Sequence, residues 1–395
     1  MGLLSRIGPL AALGAGLIAH PAFAQTQGVS DDEIVVGTVQ DLSGPLAGYG
    51  KEARQGMQMR VDEVNAAGGI YGRKIKFVVE DHGYDPRKAQ LAAQKMVQQD
   101  KIFAMVGSIG TAPVMAMMPM LLEHNVLSLW PLTGARETYE PLNRLTYSLT
   151  ESYYDQVRTV VPSLVKQKGY KRVGVLYQDD EFGLEVLRGA EVGLKALGMQ
   201  MVDKASYKRG ATDFSSQIAK LRASDPDLIV LGTVVRETVG AIAEARKNGW
   251  NDVAFVGSTA LYTDLIHKLG GKAMDGLYGV SIQSIPYADD QSKEVRDWAA
   301  SYKAKFNADP GVFSTYGYGY MDYFVQAVQK AGKNLTVDSF VAGLGELSIP
   351  TNIFGAPPLK FSKTSHMGLP GMRLSQIQNG RWVVVTDYLY PTGEE

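Results

Sequence analysis

Few residues in this chain are spaced for bond-making chemistry. His82, His124, His267 and His366 stand far apart, without the spacing that brings two ligands to one metal. No nucleophile elbow and no H-E-x-x-H helix occurs. "GSIGTA" (Gly107 to Ala112) offers a serine and a threonine, but no base or orienting acid accompanies them. Asp179-Asp180 falls at a strand end, where acidic pairs are common, and does not by itself make a general acid and base. An enzyme is not expected, and neither a metal nor another cofactor is expected.

The stretch "VQDLSGPLAGYGKEARQG" (Val39 to Gly56) has the outline of a phosphate loop, an apolar run entering a Gly-rich turn before a helix. A dinucleotide fingerprint needs closely spaced glycines whose N–H groups approach a pyrophosphate. Here Pro45 removes a donor, Tyr49 puts a ring into the needed space, and no Gly-Lys-Ser/Thr follows. A nucleotide is therefore not the expected occupant.

The elements that must position such loops alternate along the chain. "EIVVGTVQ", "KIKFVVED", "IFAMVGS" and "VLSLWP" read as buried strands, with helices over Gly50 to Ala67, "DPRKAQLAAQKMVQQD" and "APVMAMMPMLLEHN" between them. This alternation implies a parallel sheet covered on both faces. After Thr150 the rhythm restarts with a helix from Tyr153 to Lys168 and a second series of strands: "RVGVLYQ", "MQMVDKASY", "DLIVLGT" and "VAFVGST". Open sheets rarely exceed about ten strands, so two α/β lobes are expected. Longer helices follow at Gln291 to Phe306 and Tyr316 to Ala331, and Asn379-Gly380 marks a hairpin in the tail.

The N-terminus carries one charge, Arg6, then an apolar run to about Ala19 and small residues Ala22 and Ala24. Residues 1–24 read as a secretory signal cut before Gln25, which places the mature protein in the periplasm. Without Arg6 the formal charge moves from −1 to −2, a balanced surface with no footprint for nucleic acid. No later run is long and apolar enough for a membrane span, and no cysteine is present. A small molecule, another protein, or both are the expected partners.

In open α/β sheets ligands bind outside the carboxyl ends of the strands. Those ends read "DLSGPLAGYG", "VGSIGTAP", "LWPLTGA", "YQDDEFG", "GTVVRE" and "GSTALY". With "EVNAAGGIYGRKIKFVVEDHGYDP", "DFSSQIAKLRASDPDLIVLG" and "AEARKNGW", they run along nearly the whole mature chain. In this order the sequence resembles the periplasmic branched-chain amino-acid (Leu/Ile/Val) binding proteins of ABC importers. The resemblance implies a type I periplasmic binding protein: two Rossmann-like lobes with parallel sheets joined by three hinge crossings. It divides the mature chain into 25–150 plus 283–353 for lobe 1, and 151–282 plus 354–395 for lobe 2.

The resemblance also implies a site. Thr111, at a helix start, takes the position of the hydroxyl that grips a ligand carboxylate, and Ser108, Leu132 and Thr133 come from the same two strand ends. Tyr49 matches an aromatic that faces the ligand, Phe182 another, and Tyr318 falls near the cleft. Tyr154 is chosen to line the cleft after the first crossing, with Tyr153 left as an alternative. Trp130 replaces a small residue, Gly134 stands where a second hydroxyl is usual, and Val234 replaces an aromatic. Thr259 stands where amino-acid binders carry the acid that pairs with the ligand ammonium. An unpaired buried ammonium costs several kcal/mol, so a carboxylate without an α-amino group is expected, aromatic before branched aliphatic. Amides and branched-chain amino acids stay open. The expected partners are that small carboxylate and an importer permease, or a membrane receptor if the protein is a sensor. Neither membrane insertion nor an oligomer is expected.

Overall fold

The computed structural model describes residues 26–393, so the expected signal segment lies outside the described residues. The first series is β1 (Glu33–Gln40), α1 (Ala47–Ala66), β2 (Lys74–Asp81), α2 (Pro86–Gln98), β3 (Ala104–Val106), α3 (Thr111–Glu123), β4 (Leu127–Leu129) and β5 (Thr146–Tyr147). Its strands form a parallel sheet of order β2-β1-β3-β4-β5. From Val36 to Gln40 every residue of β1 is buried, as expected of a strand covered on both faces.

The second series is α4 (Tyr153–Lys168), β6 (Val173–Gln178), α5 (Glu181–Lys195), β7 (Asp203–Tyr207), α6 (Ser215–Ala223), β8 (Leu228–Gly232), α7 (Val235–Lys247), β9 (Ala254–Gly257), α8 (Leu265–Gly270) and β10 (Tyr278–Ser281). Next come α9 (Lys293–Phe306), α10 (Val312–Ala331), α11 (Val337–Glu346), β11 (Ser348–Ile349), β12 (Leu359–Lys360), β13 (Arg373–Gln378) and β14 (Arg381–Val384). The second sheet has the order β14-β13-β10-β9-β8-β6-β7. Its last two strands are antiparallel and joined through Asn379-Gly380, both at positive φ (52° and 72°) as a tight hairpin turn demands. Two sheets with crossing connections make this a two-lobed α/β fold.

The chain returns to the first lobe after β10. There α10 lies along α1, where a Cβ on Gly56 or Gly317 would overlap the backbone of the other helix. The expected helix from Tyr316 therefore begins one turn earlier, at Val312, behind the N-cap residue Gly311. Helix α11, absent from the sequence reading, starts with a capping box between Thr336 and Ser339. The segment after residue 354, expected in the second lobe, stays with the first until about Met367. Phe361 stacks on Trp130 at 6.4 Å, and Met367 bridges Ser148 beside β5.

Candidate ligand-binding site

Between the lobes the strand ends line a common cleft, the place where ligands bind in open α/β folds. The centre of a water-sized sphere can move through only about 40 Å³ of it, so the space is a narrow slot. The first lobe supplies Leu46 and Tyr49 after β1, Tyr84 after β2, Ile109 to Thr111 after β3, and Leu132 and Thr133 after β4. The second lobe supplies Tyr153, Phe182, Val234, Thr259 and Ala260. Thr150 and Ile282, on the crossings, and Phe313, Tyr316 and Tyr320 of α10 complete the wall.

One side of the slot is a cluster of hydroxyls. Thr111 Oγ1 and Thr133 Oγ1 are 2.7 Å apart, and the Tyr153 hydroxyl of the opposite lobe lies beside both. Thr111 and Ala112 are the first residues of α3, whose opening N–H groups have no partner within the helix. Together with the positive end of the helix dipole they favour an anion here.

The other walls are rings. Tyr49 stacks on Phe313 at 4.2 Å and 7°, and its hydroxyl donates to Ala260 O at 2.9 Å. The loop before Tyr49 is held by the buried Asp41 carboxylate, which accepts from the N–H groups of Ser43, Gly44 and Leu46. Phe182 meets Tyr153 edge-on at 4.8 Å. Tyr84 adopts a left-handed φ of 62°, which turns its ring into the cleft beneath the Arg209 guanidinium, 4.9 Å above it. No residue lining the slot carries a formal charge.

Of the residues chosen from sequence, Tyr49, Thr111, Leu132, Thr133, Phe182 and Thr259 are brought together in this slot, and four are not. Ser108 turns its hydroxyl back to accept from Val39 N–H at 2.9 Å, tying β1 to β3. Trp130, at φ 52°, is fully buried in the first lobe between Phe361, Tyr320 and Tyr323. Tyr154 lies under the guanidinium groups of Arg136 and Arg158, and its neighbour Tyr153 faces the slot. Tyr318 points away, donating to Glu63 Oε2 at 2.8 Å and packing on Trp298. Tyr316, Tyr320 and Tyr323 are spaced on one helix face, which by itself reads as a core stripe; the first two are buried and also line the slot. Tyr84 was missed as well, although the "HGYDP" turn around it signalled a loop.

A sequence model of the family described as periplasmic binding protein matches residues 33–381, nearly all of the described chain. The chain belongs to the periplasmic binding protein family. Within that family, the Leu/Ile/Val-binding protein homolog 8 of Brucella suis biovar 1 is 25% identical over 387 residues, covering 94% of this chain and 95% of that protein. Two solved structures share the fold. One is described as a fatty acid ABC transporter substrate-binding protein from Thermomonospora curvata, with TM-score 0.81, 23% identity, and coverage of 93% of this chain and 95% of that one. The other is a branched chain amino acid ABC transporter from Thermus thermophilus with bound valine, with TM-score 0.80, 19% identity, and coverage of 90% and 97%. The periplasmic binding protein family consists of substrate-binding proteins rather than enzymes. The slot between the lobes is accordingly the place to look for a ligand. Among the described residues no helix is long and apolar enough to cross a membrane.

Proposed function

We propose that this periplasmic binding protein captures a small carboxylate without an α-amino group, an aromatic acid in preference to an aliphatic one. It works in the periplasm as a monomer and presents its closed form to the permease of an ABC importer. The observation that carries the ligand class is the lining of the slot: rings and hydroxyls, with no charged side chain. A carboxylate is served by Thr111, Thr133, Tyr153 and the start of α3. An ammonium has no acid to pair with. Glu237 bears electrostatically on the Tyr49 hydroxyl but does not line the slot, and burial pushes its carboxyl up towards the neutral form. The stacked pair Tyr49–Phe313 favours a flat ligand, each ring pairing contributing about 0.5–1.5 kcal/mol beyond burial.

A branched-chain amino acid is the second reading, favoured by the names of the Brucella suis and Thermus thermophilus relatives. The Thermomonospora curvata protein is described as taking a fatty acid, which has no ammonium. Titration calorimetry of the mature protein with benzoate, 3-phenylpropenoate, leucine and valine separates the two. Aromatic acids should bind and leucine should not. Tight leucine binding with no response to aromatic acids would reverse the assignment.

A further inference from the structure

Helix α1 carries three glycines, Gly48, Gly50 and Gly56, although only proline forms helix less readily than glycine. The first lobe itself explains two of them. A Cβ on Gly50 would lie 2.0 Å from Asp41 O, and one on Gly56 would lie 2.0 Å from Ser314 O of α10. Gly48 is different. It is exposed in the first turn, and beyond α1 itself a Cβ there would meet only the Leu265 side chain, with Cδ1 at 2.6 Å and Cγ at 4.0 Å. Leu265 opens α8 in the second lobe. Nothing in its own lobe requires a glycine at 48.

This contact is one of three that the same turn makes with residues 260–265. The Tyr49 hydroxyl donates to Ala260 O at 2.9 Å, and the Glu52 and Asp264 carboxyls meet beside Gly311. The facing stretch is held within the second lobe. Gln156 Oε1 accepts from Thr259 N–H at 2.8 Å, the Trp382 indole N–H donates to Thr263 O at 2.8 Å, and Lys268 pairs with Asp264. With that backbone anchored, only the tip of Leu265 can yield. It could turn aside for a methyl group, but a longer side chain on Gly48 would overpack the contact and hold the lobes apart.

We propose that Gly48 is a positioning residue for ligand capture: its missing side chain lets α1 meet α8, and so sets how far the two lobes shut. Gly48 lies outside the slot and acts through its neighbour Tyr49, whose ring lines it. This rests on the lobe closure proposed above and goes beyond it by naming what limits that closure.

Trapping the closed form tests it without any ligand. Lys88→Cys and Lys208→Cys put one exposed thiol on each lobe near the Tyr84–Arg209 contact, in a chain with no cysteine of its own. The rate at which a short bis-maleimide joins the two thiols reads the closed population. In that background Gly48→Leu should slow the joining by about five- to hundredfold, the range of an overpacked contact, and Gly48→Ala should slow it less. Adding Leu265→Ala to Gly48→Leu should restore the rate, because the two side chains then no longer collide. Gly48→Leu should melt no lower than the parent, since within the first lobe only helix propensity has changed, and for the better. Benzoate affinity, read by calorimetry, should fall by the same factor as the rate, because binding draws on the closed population. Equal joining rates in the parent and Gly48→Leu would overturn the proposal. So would a loss that Leu265→Ala does not restore, or a lower melting temperature, either of which would give Gly48 a role inside its own lobe. If the parent is never joined, the lobes do not shut and the closure reading fails with it. If benzoate does not bind the parent, the carboxylate reading alone fails, and the ligand-free rates still decide the role of Gly48.

Discussion

The Tyr49 hydroxyl in the first lobe donates to the Ala260 carbonyl in the second, 2.9 Å away, and the Val235 N–H at the start of α7 faces the same oxygen. The phenol thus holds two strand ends of one lobe from a helix of the other. The ring beneath it is fixed by Phe313, so a hinge opening of the kind proposed above would break this cross-lobe contact. Under the proposed closure, a ligand supplies the differential affinity for the closed state and Tyr49 contributes part of that state's own stability.

Tyr49→Phe keeps the stack and removes the bond. A neutral hydrogen bond is worth about 0.5–1.5 kcal/mol net, so ligand affinity should fall by about two- to tenfold. Small-angle scattering should show a larger ligand-free radius with the same radius at saturation. Unchanged affinity and radius would mean that the hydroxyl does not hold the lobes.

Thr111→Val removes one hydroxyl of the anion cluster and orphans Thr133, its partner at 2.7 Å. Carboxylate affinity should weaken by about 1–3 kcal/mol, the usual loss for a hydrogen bond to a charged group. Titration calorimetry reads this directly. Uncharged amide analogues should lose less, which separates loss of the anion contact from damage to the slot.

At the mouth of the cleft, Arg209 of the second lobe lies over Tyr84 of the first and is held by Asp180 at 2.7 Å. Gln178 Nε2 donates to the Tyr84 hydroxyl at 3.3 Å from the same side. With the proposed closure these cross-lobe contacts form after the ligand has entered, so they should govern escape more than capture. Arg209→Ala loses a cation–π contact of about 0.5–2 kcal/mol, and the dissociation rate should rise by about two- to thirtyfold with little change in association. Stopped-flow fluorescence checks this, and an effect confined to association would contradict it.

Much of this architecture was legible because hydrophobic period and turn residues act locally. The strands "EIVVGTVQ" and "KIKFVVED" and the helix Tyr153–Lys168 occur with the bounds read from sequence. The walls of the slot were less legible, for a geometric reason. A buried face reads the same whether it meets a core or a cavity, so the spacing of Tyr316 and Tyr320 does not set them apart from core, whereas the family resemblance points to Tyr318. Neighbours on a helix point about 100° apart, so choosing Tyr154 over Tyr153 exchanged the cleft for the Arg136–Arg158 surface. Trp130 is turned inward by a left-handed backbone that its sequence neighbours do not announce.

The last prediction concerns pH. Glu52 of α1 and Asp264 of the second lobe meet beside Gly311: a Cβ there would lie 2.5 Å from Glu52 Oε1 and 2.6 Å from Asp264 Oδ1, so these oxygens are at most about 5 Å apart. Burial first, and then the Asp264 charge, push the Glu52 carboxyl well above the usual range. Lys268 of α8 pairs with Asp264 and opposes the shift, as does the Phe313 N–H at the start of α10. The Tyr302 hydroxyl of α9 and the Tyr49 hydroxyl complete the charged and titratable surroundings of Glu52, and His267 faces Asp264. In the proposed opening, Asp264 would move away and water would enter, returning Glu52 towards an ordinary carboxyl value. A carboxyl whose pKa is raised in the closed form favours closure below the open-form pKa, and loses that contribution as pH rises through the closed-form value. Between the two values, closure takes up a proton. Ligand affinity should therefore fall as pH rises above the ordinary carboxyl range, with a ligand acid already ionised throughout. Glu52→Gln cannot ionise, so its affinity should stay flat across the same window and exceed the parent's at the alkaline end. Calorimetry from pH 5.5 to 8.5 in buffers of different ionisation enthalpy should detect the proton uptake in the parent and none in the variant. Equal pH profiles for the two proteins would show that Glu52 keeps one protonation state in both the open and closed forms.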